Sequence, residues 1–143
     1  MAQLSTILEK RAPVVNLFSP DQTVAEAVAT MCERHVGAVL IGDRAQLLGI
    51  FSERDLLRRV IGKQRRLDQT PLREVMTENP ITAAPSDDRM SAIRKMQAHG
   101  CRHLPIVESG GVVDTVSIRD LLFDEIKERE TEIAELKRYI QGT

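Results

Sequence analysis

Ser52 and Asp55, and again Ser117 and Asp120, place a hydroxyl and a carboxylate three residues apart where an apolar run gives way to a polar helix start. At a helix N-terminus this spacing holds both side chains near the free backbone N–H groups and the positive end of the peptide dipoles. Such a place suits phosphate. An ionised carboxylate only accepts hydrogen bonds, so Asp55 and Asp120 fit the 2′- and 3′-hydroxyls of a ribose. Ser52 and Ser117 can donate to sugar or phosphate. The same pattern also serves as plain helix capping, with the serine as N-cap and an acid in the first turn, and the two roles are compatible.

No set of residues reads as catalytic. The sequence has no GxSxG elbow, no P-loop, no GxGxxG and no Cys-His pair with an orienting third group, so no enzymatic activity is expected. His99, Cys101 and His103 would share one face of a strand, but Gly100 ends the preceding helix and puts His99 in the turn, so no metal site is expected. Arg54, Arg58, Arg59, Lys63, Arg65 and Arg66 form the one basic patch, read as a solvated face.

The elements that must position the two Ser/Asp pairs come from an internal repeat. A shift of 65 residues, without a gap, superposes Pro20 on Pro85, Ala27 on Ala92, Met31 on Met96 and Ile41 on Ile106. It also superposes Ser52, Arg54, Asp55, Leu56 and Leu57 on Ser117, Arg119, Asp120, Leu121 and Leu122. A repeat dictates architecture. In the first copy Thr23 with Glu26 marks a helix start, and Val24, Ala27, Val28 and Met31 share one face to about His35. Ala38 to Ile41 and Leu47 to Phe51 read as paired strands about a Gly42-Asp43 turn, and a helix beginning at Ser52 runs to about Gly62. The second copy repeats this with a helix over Asp88 to Ala98, strands at Leu104 to Val107 and Val112 to Val116, a Ser109-Gly110-Gly111 turn and a helix from Ser117. Lys63 to Leu72 reads as the linker. The expected organisation is a first repeat with linker over 5–67, a second repeat over 68–124 and a helical tail over 125–143.

Gly49-Ile50-Phe51-Ser52-Glu53-Arg54-Asp55-Leu56 resembles the strand-to-helix signature of a cystathionine β-synthase (CBS) domain, and Arg102-His103-Leu104-Pro105-Ile106-Val107 resembles the strand before it. The resemblance spans about residues 5 to 125. It implies an α/β (α+β) fold of two β-α-β-β-α repeats packed with pseudo-twofold symmetry, here followed by a C-terminal helix. It also implies a regulatory, non-catalytic module that binds an adenine nucleotide, whether AMP, ADP, ATP or NAD(H), in composite clefts between the repeats. In one cleft Thr115, Ser117 and Asp120 would join Val14 and Val15; in the other Ile50, Ser52 and Asp55 would join Pro80, Ile81 and Thr82. Exposed backbone of the leading segments would meet the adenine edge. Arg102 and His103, matching Gly37 and Ala38, would lie where the central strands approach and reach phosphate. Arg54 and Arg119 complete the candidate binding set.

Two positions depart from the pattern. Asp114 stands where the first copy has Gly49, either repelling phosphate or marking a solvent-exposed bend, and Leu17 stands opposite Thr82. The Asp55 cleft is therefore expected to hold a phosphate-bearing ligand better than the Asp120 cleft.

The chain has 143 residues, 42% of them hydrophobic, with a net charge of −1, three Phe, one Tyr and no Trp. Neither a global field for nucleic acid nor a set of stacking platforms is present, so no nucleic-acid partner is expected. With no apolar run of about 20 residues and no leader, neither membrane insertion nor export is expected. Cys32 and Cys101 read as free, buried thiols in a reducing cytoplasm. In the tail Leu122, Ile126, Ile133, Leu136 and Ile140 fall on heptad a and d positions, with Arg129 as the break and Glu125 placed to pair with it. The tail is expected to be one helix that packs on the module or on a symmetry mate, since fewer than three heptads do not hold a coiled coil alone. The resemblance adds a disk-like homodimer and an unknown downstream partner; the competing reading is a structural dimerisation or partner-interaction protein without a nucleotide.

Overall fold

A computed structural model of the chain describes residues 2–142. The chain begins with α1 (Leu4–Leu8), then β1 (Leu17–Phe18), α2 (Val24–Arg34), β2 (Ala38–Gly42), β3 (Leu47–Ser52) and a helix α3 that starts at Glu53–Asp55 and continues with wider π-type turns over Leu56–Ile61. After a short 3₁₀ turn (Leu72–Glu74) come β4 (Thr77–Glu78), α4 (Arg89–His99), β5 (His103–Glu108), β6 (Gly111–Ser117) and α5 (Ile118–Gln141). Among the described residues no helix is long and apolar enough to cross a membrane.

The two halves are built alike because their sequences give the same local instructions. Thr23 caps α2 by accepting from the Glu26 N–H at 3.3 Å, and Asp88 caps α4 by accepting from the Ser91 N–H at 2.7 Å. Each of these helices ends on a left-handed residue at matching positions, His35 with φ 54° and Gly100 with φ 65°. β2 and β3 pair antiparallel with Leu40 opposite Ile50, and β5 and β6 pair antiparallel with Leu104 opposite Val116. Gly42 turns the first hairpin at φ +128°, where a Cβ would stand 2.2 Å from the Gln46 carbonyl oxygen, so no other residue fits.

The first sheet runs β1-β2-β3-β4, with β1 parallel to β2. In the second half the matching leading strand shrinks to a single parallel bridge, Ala83 to Ile106. Pro80, which falls on Val15 in the repeat register, has no N–H to give to a ladder.

Alternating strand residues feed three apolar layers. Val39, Ile41 and Phe51 face α2 in the first core, while Leu104, Ile106 and Val116 pack with Ala92, Ile93, Met96 and Leu121 in the second. Ala38, Leu40 and Ile50, from the other face of the first sheet, meet Val112, Val107, Val15 and Leu17 in a layer between the halves. The chain also crosses over at its start: Leu4 and Ile7 of α1, read with the first repeat, are buried in the second core.

Two expectations are corrected and a third is narrowed. Cys32 is exposed and only Cys101 is partly buried; the buried stripe of α2 is Val24, Ala27 and Met31, and Cys32 falls about 100° round the helix from Met31. Asp114 is buried, not a bend open to water. The tail is one helix with Arg129 paired to Glu125 at 3.1 Å, but its far half does not lie on the module: Ile133 is 52% exposed and Leu136 61%.

Candidate functional site

Strand β6 ends at Ser117, whose Oγ accepts from the Asp120 N–H at 3.1 Å, while Asp120 Oδ2 accepts from the Ser117 N–H at 3.0 Å. This reciprocal cap fixes the first turn of α5. It leaves Asp120 40% exposed by side chain, on the wall of a cleft of about 880 Å³ between the halves. The cleft gathers most of one predicted set: Val14, Gly37, Ala38, Arg102, His103, Thr115, Ser117, Arg119 and Asp120 all line it. Val15 is turned away into the layer between the halves.

The walls differ in chemistry. Val28, Met31, Val36 and Leu56 give an apolar side, and Arg11, Arg102 and Arg119 give three guanidiniums against the carboxylates of Glu53 and Asp120. Arg119 is held over the Phe123 ring at 5.2 Å. His103 sits against Gly37, where a Cβ would stand 3.1 Å from its ring; the strand must approach this closely, which is why the residue matching Arg102 is a glycine. Burial holds the His103 imidazole below its usual value, against the opposing pull of Glu53 and Asp120. It is neutral at pH 7 and forms a wall without adding charge to the cleft.

The other predicted set is not assembled into this cleft. Asp55 has a side chain only 8% exposed, and both its oxygens have partners. Oδ2 accepts from the Ser52 N–H at 2.9 Å and from its hydroxyl at 3.1 Å; Oδ1 accepts from the Thr77 hydroxyl at 3.2 Å and lies 3.6 Å from Arg59 Nε. Ile50 is buried in the layer between the halves, Ile81 packs on the second core, and the Thr82 carbonyl accepts from Lys95 Nζ. Pro80 is half-buried. Arg54 donates to the Gly100 carbonyl and ties the halves together.

The reason is visible in the repeat register. β4 returns beside β3, laying the Thr77 hydroxyl on Asp55 and Met76 on Gly49, where a Cβ would stand 2.6 Å from Met76 Sδ. The residue matching Thr77 is Ala12, which has no hydroxyl, and the residue matching Arg59 is Asp124, which has no positive charge. The Thr77 hydroxyl thus has no counterpart around Asp120, and the guanidinium beside it is that of Arg11, whose Nη2 lies 3.8 Å from Oδ2.

Asp114 has a side chain 4% exposed and accepts from Arg11 Nη1 at 3.0 Å, from the Val14 N–H at 3.0 Å and from its neighbour Thr115 N–H at 2.7 Å. It is neutralised in place, which corrects the reading that it repels phosphate. The Val14 N–H is correspondingly taken and is not offered to an adenine edge. Arg11 is the site residue the sequence reading missed. Extending the repeat comparison toward the N-terminus would have found it, since Arg11 falls on Met76 just as Asp114 falls on Gly49.

The CBS domain model matches the chain twice, over residues 6–62 and 72–124. The Arabidopsis thaliana CBS domain-containing protein CBSCBSPB5 is 39% identical over 119 residues, which are 82% of this chain and 22% of that protein, so the chain spans about a fifth of such relatives. A solved protein with CBS domains from Burkholderia ambifaria superposes with a TM-score of 0.84 at 28% identity, covering 88% of this chain and 95% of that one. A CBS domain protein from Pyrobaculum aerophilum complexed with AMP superposes with a TM-score of 0.72 at 27% identity, covering 82% and 88%. With two in-register repeats, each carrying its Ser/Asp cap at the strand-to-helix junction, the chain belongs to the CBS-domain family as a tandem pair.

Proposed function

We propose that this chain is a non-catalytic regulatory module that binds an adenine nucleotide, AMP, ADP, ATP or NAD(H), in the Asp120 cleft and passes its state to a partner protein. The observation that carries the reading is the open carboxylate of Asp120, set on a capped helix N-terminus in a cleft whose size lies within the range of about 300–1,000 Å³ usual for small-ligand sites. The AMP complex of the Pyrobaculum aerophilum protein supports the choice of an adenine nucleotide. Apolar walls suit the base, Asp120 the ribose and the three arginines the phosphate. The free thiols Cys32 and Cys101 fit the reducing conditions of a cytoplasm.

A ligand at about 100 times its Kd adds about 2.7 kcal/mol to stability, so at least one of these nucleotides is expected to raise the melting temperature by several degrees. A flat response across AMP, ADP, ATP and NAD(H) would sink the reading and leave the structural alternative.

A homodimer is part of the proposal. Leu57 and Ile61 on α3 match Leu122 and Ile126 on α5, and all four are 46–63% exposed, so the two halves present matching exposed apolar positions, which Ile133 and Leu136 continue along α5 as a seam. Because Arg89 binds Asp124, Glu125 and Glu128, a cut must fall beyond these residues to leave the second half intact. Ending the chain after Glu130 is expected to weaken self-association at least tenfold by sedimentation while the unfolding midpoint moves little, since Ile133, Leu136 and Ile140 leave the seam. An unchanged association constant would remove the tail from the interface.

A further inference from the structure

One pair of positions changes together between the halves. In the 65-residue register Arg11 falls on Met76 and Asp114 on Gly49. In the first half Met76 fills the space above a glycine. In the second the same two places hold a guanidinium and a buried carboxylate. A buried ion pair is weak support for stability, because desolvation cancels much of the attraction. What this pair does is fix a cation in the wall of the cleft.

The geometry of Arg11 leaves it available. Nη1 donates to Asp114 Oδ1 at 3.0 Å and to the Ala12 carbonyl at 3.0 Å, and Nη2 donates to the Thr115 carbonyl at 2.9 Å. Nη2 also lies 3.8 Å from Asp120 Oδ2, beyond hydrogen-bond distance, and the side chain is 27% exposed. An arginine has five N–H donors. Nε and the second hydrogen of Nη2 therefore have no acceptor within hydrogen-bond distance among the described residues, on a guanidinium that lines the cleft beside the ribose candidate.

We infer that Arg11 is a phosphate-contacting, ligand-selecting residue of this cleft, held in position by Asp114, so that a ligand whose ribose is taken by Asp120 meets a fixed cation for its phosphate. The inference rests on the adenine-nucleotide reading above. It separates phosphorylated ligands from the bare nucleoside, because adenosine offers Asp120 the same hydroxyls and gives Arg11 no anion.

Removing Arg11 alone would leave Asp114 buried and unpaired, so the informative variant is Arg11→Ala with Asp114→Gly, which gives β6 the glycine that β3 already carries at Gly49. Arg11→Gln, which keeps a donor for Asp114 without the charge, is the second. Calorimetric titration with AMP and with adenosine, on variants whose urea unfolding is cooperative, reads the effect. Both variants are expected to lose about 10- to 100-fold in AMP affinity, the scale of a hydrogen bond to a charged group, and to change by less than about threefold toward adenosine. Undiminished AMP affinity means that Arg11 only neutralises Asp114 and overturns the inference while leaving the nucleotide reading intact. Equal losses for AMP and adenosine overturn it too, since the cleft would then be deformed as a whole. A wild-type protein that binds no AMP overturns the nucleotide reading and the inference together.

Discussion

Asp120→Ala is expected to lower AMP affinity by about 1.5–3 kcal/mol, the range for hydrogen bonds to a charged group, whereas Asp55→Ala leaves affinity within a factor of about two. The asymmetry follows from partners. Asp120 makes its cap bond through Oδ2 and is 40% exposed on the cleft wall, while Asp55 spends both oxygens on Ser52 and Thr77 beneath β4. The signature alone pointed the other way, to a better phosphate site at Asp55, because Asp114 read as a repelling charge and its pairing with Arg11 is a long-range contact. Asp55→Ala should instead cost about 1–3 kcal/mol of folding stability, by removing half of a capping box and leaving the Thr77 hydroxyl without its acceptor. Titration and urea unfolding of the two single variants check both halves of this expectation. Equal affinity losses at Asp55 and Asp120 would mean that β4 moves aside and that both clefts are used.

The largest effect on stability is expected at Arg89. Its side chain is 8% exposed and holds Asp124 at 2.7 Å, Glu125, and Glu128 at 2.7 Å, joining α4 to the root of α5, while Lys10 reaches Asp124 from just beyond α1 at 3.1 Å. Arg89→Met keeps the apolar stem and leaves three carboxylates facing one another. Breaking a buried pair this way costs about 3–5 kcal/mol, and the lower end applies because Glu128 can turn to water. Adding Asp124→Asn and Glu125→Gln to Arg89→Met should recover most of the loss.

The same cluster sets an acid limit. Burial alone would raise the Asp124 carboxyl, but hydrogen bonds from Arg89 and Lys10 outweigh it and hold the group below its ordinary value. The unfolded chain then takes up the proton first, at about pH 3.9. The stabilisation is full above that pH and is lost as pH falls toward the folded value. Urea unfolding at pH 7 and pH 3 should show a smaller acid loss in Arg89→Met than in the wild type. An Arg89→Met protein as stable as the wild type at pH 7 would deny the clamp any role in holding α5.

Much of the architecture was readable because its causes are local. Thr23 and Asp88 cap the helices they precede, the strands are short apolar runs set off by turn residues, and the 65-residue shift carries α2, the β2–β3 hairpin and the start of α3 onto α4, the β5–β6 hairpin and the start of α5. The Asp120 cleft was readable through the same shift joined to the family signature. Three things were not. Crossing of α1 into the second core depends on Leu4 and Ile7 meeting residues more than 80 positions away, and no periodicity in a five-residue helix announces that. The closing of Asp55 depends on Thr77 and Arg59, which look like ordinary strand and helix residues. Arg89 falls on Val24 in the register, so the place of an apolar core residue is taken by a charge whose partners lie on another helix.

Helix α5 starts at the cleft and ends in the exposed seam without a break, from Ile118 to Gln141. At about 1.5 Å per residue it is a lever roughly 36 Å long. Its fulcrum is the Ser117/Asp120 cap together with the Arg89 clamp. Beyond the clamp, Arg129 to Gln141 extend about 20 Å, so a tilt of about 10° there sweeps the far tip through about 3.4 Å, roughly two residues' rise along a helix. On the nucleotide-binding function proposed above, a shift of the cap around a bound ribose would be carried by the stiffness and length of α5 to whatever the tail meets.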